Sequence, residues 1–249
     1  MGESRQTLAV VIRTADYKDN DRMITLLTKD YGKMSASVRG ARKPTSKLFV
    51  AASLFCCGEY MFYEKDGRYG VKSCTVRRIF FNMQNDYDAY AAACFIAEAV
   101  DKVAQEDNVS HGLFALTIGT FYALDTGAAP GTALCYFVQR LLHIEGVYPN
   151  LKSCVFCGRR DNLTRFSAEH GGAVCAACSQ KHGGSALDAE VLEALARMAH
   201  TSPGDIAGLD IAQKTQEKLK KALVTYLMHV LQKPLKTAAF VVGNGKIEE

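Results

Sequence analysis

The chain has 249 residues, 48% of them hydrophobic and 22% charged, which is globular material long enough for two domains or for one domain with an insert. Its apolar runs are short and broken by charge, well below the roughly 18–20 residues of a spanning helix. Residues 1–6 offer neither a signal-peptide run nor, with Gln6, the hydroxyl a myristoylation motif needs. The net charge of +4 hides an asymmetry: residues 1–80 contain 15 Lys+Arg and 8 Asp+Glu, residues 81–249 contain 15 and 18. A basic first part on a mildly acidic remainder points to a polyanion partner at the N-terminal end.

The first eighty residues read as β. Leu8–Thr14 is β-branched, Arg22–Thr28 follows, and Lys33–Arg39 alternates with period two after the turn residues Asp30, Tyr31 and Gly32. Leu54–Glu64 and Tyr69–Phe81 form another pair, joined at Lys65-Asp66-Gly67, where Asp-Gly suits positive φ. Five strands with little helix between them predict a small closed barrel of the OB type. From Asp86 the spacing turns helical, over Tyr87–Gln105, His111–Asp125 and Pro130–Ile144, with Pro130 in a first turn where its missing N–H costs nothing. Asp188–His200, with Asp188 as cap, and Lys214–Leu231, stopped before Pro234, complete the helices. The fold class is therefore α+β and multidomain: an OB-fold barrel over 1–81, then a helical domain over 82–249 with an insert near 150–184. The tail Gly243–Glu249 is expected to fray.

That insert holds the most specific signal in the chain. Cys154-Val-Phe-Cys157 is followed by Cys175-Ala-Ala-Cys178, the separation of a four-thiolate zinc site. Gly158 helps the first knuckle turn, and Leu163–Phe166 with Gly171-Gly172 reads as a two-stranded ribbon. Two redox dithiols or a disulfide pair are the alternatives, and neither explains the spacing. Four protein ligands leave no open position, so the expected cofactor is one structural Zn²⁺. The remaining five cysteines, Cys56, Cys57, Cys74, Cys94 and Cys135, lie among apolar or small residues and read as buried small hydrophobes. Together these suit a reducing cytosol. His170 and His182 flank the second knuckle as substitute ligands at most.

Arg39, Arg42, Lys43 and Lys47 place four cations in nine residues, and Gly40 and Pro44 mark the segment as a loop. Thr45 and Ser46 add hydroxyl donors for phosphate. On a basic OB barrel such a loop suits a single strand, with Tyr17, Tyr31, Phe49, Tyr60, Phe62, Tyr63 and Tyr69 as candidate stacking groups, most of them expected in the core. Asp16, Asp19 and Asp21 read as loop charges beside Lys18 and Arg22 rather than a metal site. No P-loop, dinucleotide, HExxH or GxSxG motif occurs, so no catalytic residue is assigned.

The ordered set Val11–Thr28, Tyr31-Gly32-Lys33, Arg39–Lys43, Phe137–Leu142, Gly146–Pro149, Cys154–Gly158 and Lys233–Lys236 resembles the bacterial recombination and repair mediator family RecO, in its zinc-bearing branch. Val147, where an aromatic is expected, is a minor departure. The resemblance spans nearly the whole chain. It implies a non-catalytic, cytoplasmic, nucleoid-associated protein that binds single- and double-stranded DNA and anneals complementary strands. With RecR as partner, such a protein helps load recombinase onto strands coated by single-strand-binding protein. A direct contact to that coating protein stays open, and no membrane is involved. By match to the family's basic loop the DNA contacts fall on Arg39, Arg42, Lys43 and Lys47, with Arg22 beside them; Arg13 and Lys33 follow from charge and position alone. Two other classes stay in view: an assembly adaptor that does not touch DNA, and a zinc-dependent nucleic-acid enzyme.

Overall fold

The computed structural model describes residues 4–243; the tail beyond Gly243, expected to fray, lies outside them. Strands β1 (Ser4–Tyr17), β2 (Asp21–Thr28), β3 (Lys33–Val38), β4 (Cys56–Lys65) and β5 (Arg68–Ile79) close into a barrel in the order β1-β2-β3-β5-β4. All pairings are antiparallel except β3 with β5, which run parallel through Ala36–Tyr69 and Ser37–Gly70. This is an OB-like barrel.

The continuous apolar run of β1 has a simple cause: the strand is buried on both faces. Ala9 and Val11 point into the barrel with Ile24, Leu26, Tyr60 and Phe62, whereas Val10 and Ile12 join the helical core. Strand β4 begins at Cys56, two residues later than expected. Phe55, fully buried, sits at φ +64 and donates its N–H to Val11 O, which turns the chain before pairing starts.

Behind the barrel stand α1 (Tyr87–Val103), α2 (His111–Asp125) and α3 (Pro130–Ile144). Asp86 caps α1 by accepting from Ala89 N, and Ser110 caps α2 by accepting from Leu113 N. Helix α3 is central, with Phe137, Val138, Leu141 and Leu142 fully buried. Helix α1 ends at Val103 rather than Gln105, because residues 104–108 leave the helix to dock on the barrel. Lys33 N donates to Gln105 O at 3.1 Å, and Gly32, at φ +67, lies so close to Asn108 O that any Cβ would collide.

The ribbon carries β6 (Leu163–Ser167), β7 (Gly172–Cys175), α4 (Ala176–His182) and β8 (Ser185–Ala186). It has three strands in the order β7-β6-β8, not the two expected. Gly184, at φ +120 with Phe166 O only 2.7 Å from where a Cβ would stand, returns the chain beside β6. The chain ends in α5 (Ala189–His200), capped by Asp188, α6 (Gln213–Leu231) and α7 (Ala238–Val242). Glu98 of α1 fixes the start of α7 by accepting from Lys236 N, Thr237 N and Thr237 Oγ1 at 2.6–3.0 Å. Among the described residues no helix is long and apolar enough to cross a membrane.

Candidate nucleic-acid interface and metal centre

An open groove of about 860 Å³ crosses the outer face of the barrel. One wall comes from β2 and β3, with Met23, Lys33, Ser35 and Arg39, and the other from the β4–β5 hairpin between Tyr63 and Gly70; Tyr17 and Lys18 close the β1–β2 end. This is the face and loop set with which OB barrels hold oligonucleotides. Five cations line it, Lys18, Lys33, Arg39, Lys65 and Arg68, with the carboxylates of Asp21 and Asp66 among them. Glu106 and Asp107, brought in by the segment after α1, give it an acidic end. There Asp107 lies 3.9 Å from Arg5, whose guanidinium sits over the rings of Tyr31 and Tyr69 at 5.1 and 5.2 Å.

Tyr63 lines the groove through its cross-strand partner. Gly70 stands opposite it in the β4–β5 ladder, and the Tyr63 ring occupies the space where a Cβ at Gly70 would be. Of the other aromatic candidates, Tyr17 and Phe49 are exposed, and Tyr31 and Tyr69 are half-buried. Tyr60 and Phe62 are fully buried in the barrel core, Tyr60 donating to Ala51 O at 2.6 Å, so neither can meet a base.

The basic loop is a fixed run of turns, with Lys43 N bonded to Gly40 O, Ser46 N to Lys43 O and Phe49 N to Ser46 O. Asp21 pins its start by accepting from Gly40 N at 2.8 Å. Arg39, Lys43 and Lys47 are exposed and, among the described residues, form no ion pair. Arg42 is different: it donates to the carbonyls of Lys18 and Asp19 and lies 3.5 Å from the Asp16 carboxylate. Arg22 shares that carboxylate at 3.3 Å and reaches Ala52 O. These two cations hold the β1–β2 turn against the loop, with Asp16 as their common anchor. Arg13 and Lys33 both reach Asp101 of α1, at 3.2 and 3.5 Å, tying barrel to helices. Sequence reasoning passed over Lys18, Lys65 and Arg68 as groove residues. Lys65 and Arg68 flank the Asp66-Gly67 turn that reads as a hairpin, so a signal was present.

The four ribbon cysteines converge. Their sulfurs all lie within 4.8 Å of one another, with Cys157 Sγ and Cys175 Sγ 3.7 Å apart. A tetrahedron with metal–sulfur bonds of about 2.3 Å has edges of about 3.8 Å, so the donor set fits a four-thiolate ion. Gly158, at φ +74, returns its N–H to Cys154 O and closes the first knuckle. Burial opposes ionisation of Cys154, but the N–H groups of Cys175, Phe156 and Cys157 outweigh it and hold the thiol down to about 6. Cys178 is pushed up to about 12, mainly by the sulfurs of Cys157 and Cys175. The crowded sulfurs oppose one another's ionisation, and a cation among them would offset that. His170 and His182 stay outside the cluster and pack on Phe156, the His182 ring stacked at 3.8 Å. Elsewhere Cys57 is raised to about 11, and Cys135 and Cys74 to about 12, chiefly by burial, as inert thiols are. Cys74 and Cys94 are only partly buried.

Comparison with known proteins covers both parts of the chain. The family model "Recombination protein O N terminal" matches residues 1–80, and "Recombination protein O C terminal" matches residues 84–239. Among curated relatives, a DNA repair protein RecO of Listeria monocytogenes (strain HCC23) is 28% identical over 96% of this chain and 94% of its own. One from Caldanaerobacter subterraneus subsp. tengcongensis is 26% identical over 95% and 97%. One from Caldicellulosiruptor saccharolyticus is 26% identical over 93% and 95%.

Proposed function

Because this chain belongs to the recombination protein O family of DNA repair proteins, we propose that it is a DNA-binding recombination mediator. On this reading it binds single- and double-stranded DNA, anneals complementary strands and, with RecR, helps load recombinase onto strands coated by single-strand-binding protein. The observation that carries the reading is the groove, where Lys18, Arg39, Lys65, Arg68 and Tyr63 line the face on which OB barrels bind strands, Lys33 being taken up by Asp101. A backbone lying there would meet Arg39 at the groove wall. Lys43 and Lys47 do not line the groove and would be met only by a strand that runs on past Arg39 onto the loop, which Arg42 and Arg22 hold in place. Residues 1–81 act as the DNA-binding unit, and residues 82–249 as a helical body for protein partners.

Zn²⁺ is the ion we assign to Cys154, Cys157, Cys175 and Cys178, as a structural centre, since four protein ligands leave no position for a substrate. The protein acts without catalysis, in the cytoplasm, on the nucleoid. Annealing needs no nucleotide, because base pairing drives it and the protein only offsets repulsion between two backbones. The test is strand binding and annealing by the purified protein, with and without RecR and without ATP. Binding that fails at low salt would leave the adaptor reading, in which the basic loop meets acidic protein; divalent-metal-dependent cleavage of the strands would favour an enzyme.

A further inference from the structure

We infer that the cysteine ribbon is a second DNA-backbone surface, which holds one strand while the barrel groove holds its complement; this rests on the proposed annealing function. The first observation is where the charge sits. Residues 150–184 carry five cations against two acids, while the rest of 81–249 carries 10 Lys+Arg against 16 Asp+Glu. The ribbon is thus a basic island on an acidic body, separate in the chain from the basic barrel.

The second is exposure. Lys152, Arg159, Arg160, Arg165 and Lys181 are all exposed. The ion pair they form among the described residues is loose, with Arg159 4.0 Å from Asp161, an acid that is itself exposed. Phosphates can displace such partners at little cost.

The third is rigidity. Arg159 follows the first knuckle directly, and its carbonyl accepts from Cys154 N at 2.7 Å. Ala176 N, at the start of α4, donates to Asn162 O, so the loop carrying Arg159 and Arg160 is stitched to the second knuckle. At the other end of α4, Lys181 adjoins His182, whose ring lies on Phe156 of the first knuckle. His182 is itself exposed, with one face of its ring taken by Phe156. The metal-holding framework therefore presents cations in fixed places, where a solvated loop would scatter them. Pairing requires two phosphate backbones to approach, and one groove neutralises only one of them.

The experiment compares wild type with Arg159→Ala/Arg160→Ala, and independently with Lys152→Ala/Lys181→Ala in case the first pair disturbs the knuckle. A single strand of about 12 nucleotides, within the length one OB barrel covers, reports the groove. Capture of a complementary strand by the preformed complex reports the ribbon. Expected are first-strand affinity within about twofold of wild type, metal content unchanged, and second-strand capture slowed about tenfold. The capture rate should also depend less steeply on salt than in wild type, because fewer phosphate contacts release counterions. Arg159→Lys/Arg160→Lys should restore most of the rate. Unchanged capture in both double variants, or an equal loss of first-strand binding, overturns the inference. If wild type neither binds nor anneals strands, it is the proposed function that fails instead.

Discussion

Arg78 of β5 places its Nη2 2.9 Å from the carboxylate of Asp125 in α2, and that carboxylate, 2% exposed, also accepts from Asn82 N at 2.8 Å. The guanidinium lies over the Tyr122 ring at 4.6 Å. Two side chains thus join the barrel's last strand to the helical body, beside the point where the chain passes from one to the other. Arg78→Ala leaves a buried carboxylate without its cation, and we expect a loss of about 2 kcal/mol. Thermal melts check this, since a chain of this size loses roughly 2–4 °C per kcal/mol. A midpoint equal to wild type contradicts the assignment of Asp125 as the joint.

Arg42 and its loop neighbours should separate in the same assay. Arg42→Ala removes two bonds to backbone carbonyls and one pair to Asp16, for about 1 kcal/mol. Lys43→Ala with Lys47→Ala should leave the midpoint unchanged, because both are exposed loop charges. If the lysine pair destabilised as much as Arg42→Ala, something other than the Arg42 bonds would be holding the loop.

Gly70→Ala tests how the groove is built. The new methyl must displace the Tyr63 ring, so affinity for a single strand should fall about fivefold or more, as loss of one stacked base does. Gly67→Ala, in the same hairpin but with nothing near its Cβ position, should spare the groove and cost only local strain at φ +69. The comparison is made by fluorescence titration. Equal affinities in both variants would remove Tyr63 from the interface.

Metal analysis of protein purified under reducing conditions, without chelator, should find about one zinc per chain. Cys154→Ser should lower that content and loosen the ribbon, because binding and local folding are coupled. The damage should spread to α6, where Tyr226 packs edge-on to Phe166 at 5.7 Å and donates to Val147 O. Amide exchange across 163–175 and 219–227 reads this directly, and unchanged protection in the metal-free variant counts against a structural ion.

The parts legible in the sequence were those set by local chemistry. His111–Asp125 and Pro130–Ile144 agree to the residue because Ser110 and Pro130 mark their starts. The cysteine spacing foretold a converged cluster. What could not be read depends on neighbours distant in the chain. Strand β8 depends on Gly184, which lets the chain approach Phe166, and the turn into α7 on Glu98, which accepts from Lys236 N and Thr237 N. Burial of Tyr60 and Phe62 and the tethering of Arg42 are likewise matters of barrel closure, which composition does not reveal. The cations Lys65 and Arg68 were visible beside a hairpin turn, but nothing local says that the hairpin forms a wall opposite Arg39.

Whether the barrel groove and its loop grip a phosphate backbone is decided by the salt dependence of single-strand affinity. Each phosphate-binding cation removed should make log affinity against log salt shallower by about 0.7. Arg39→Ala with Lys43→Ala, one groove cation and one loop cation, should therefore reduce the slope by about 1.4, weaken binding alike for different base sequences, and leave the thermal midpoint in place. A well-folded double variant with the wild-type slope would contradict the proposed grip and send the search for the DNA site elsewhere on the molecule.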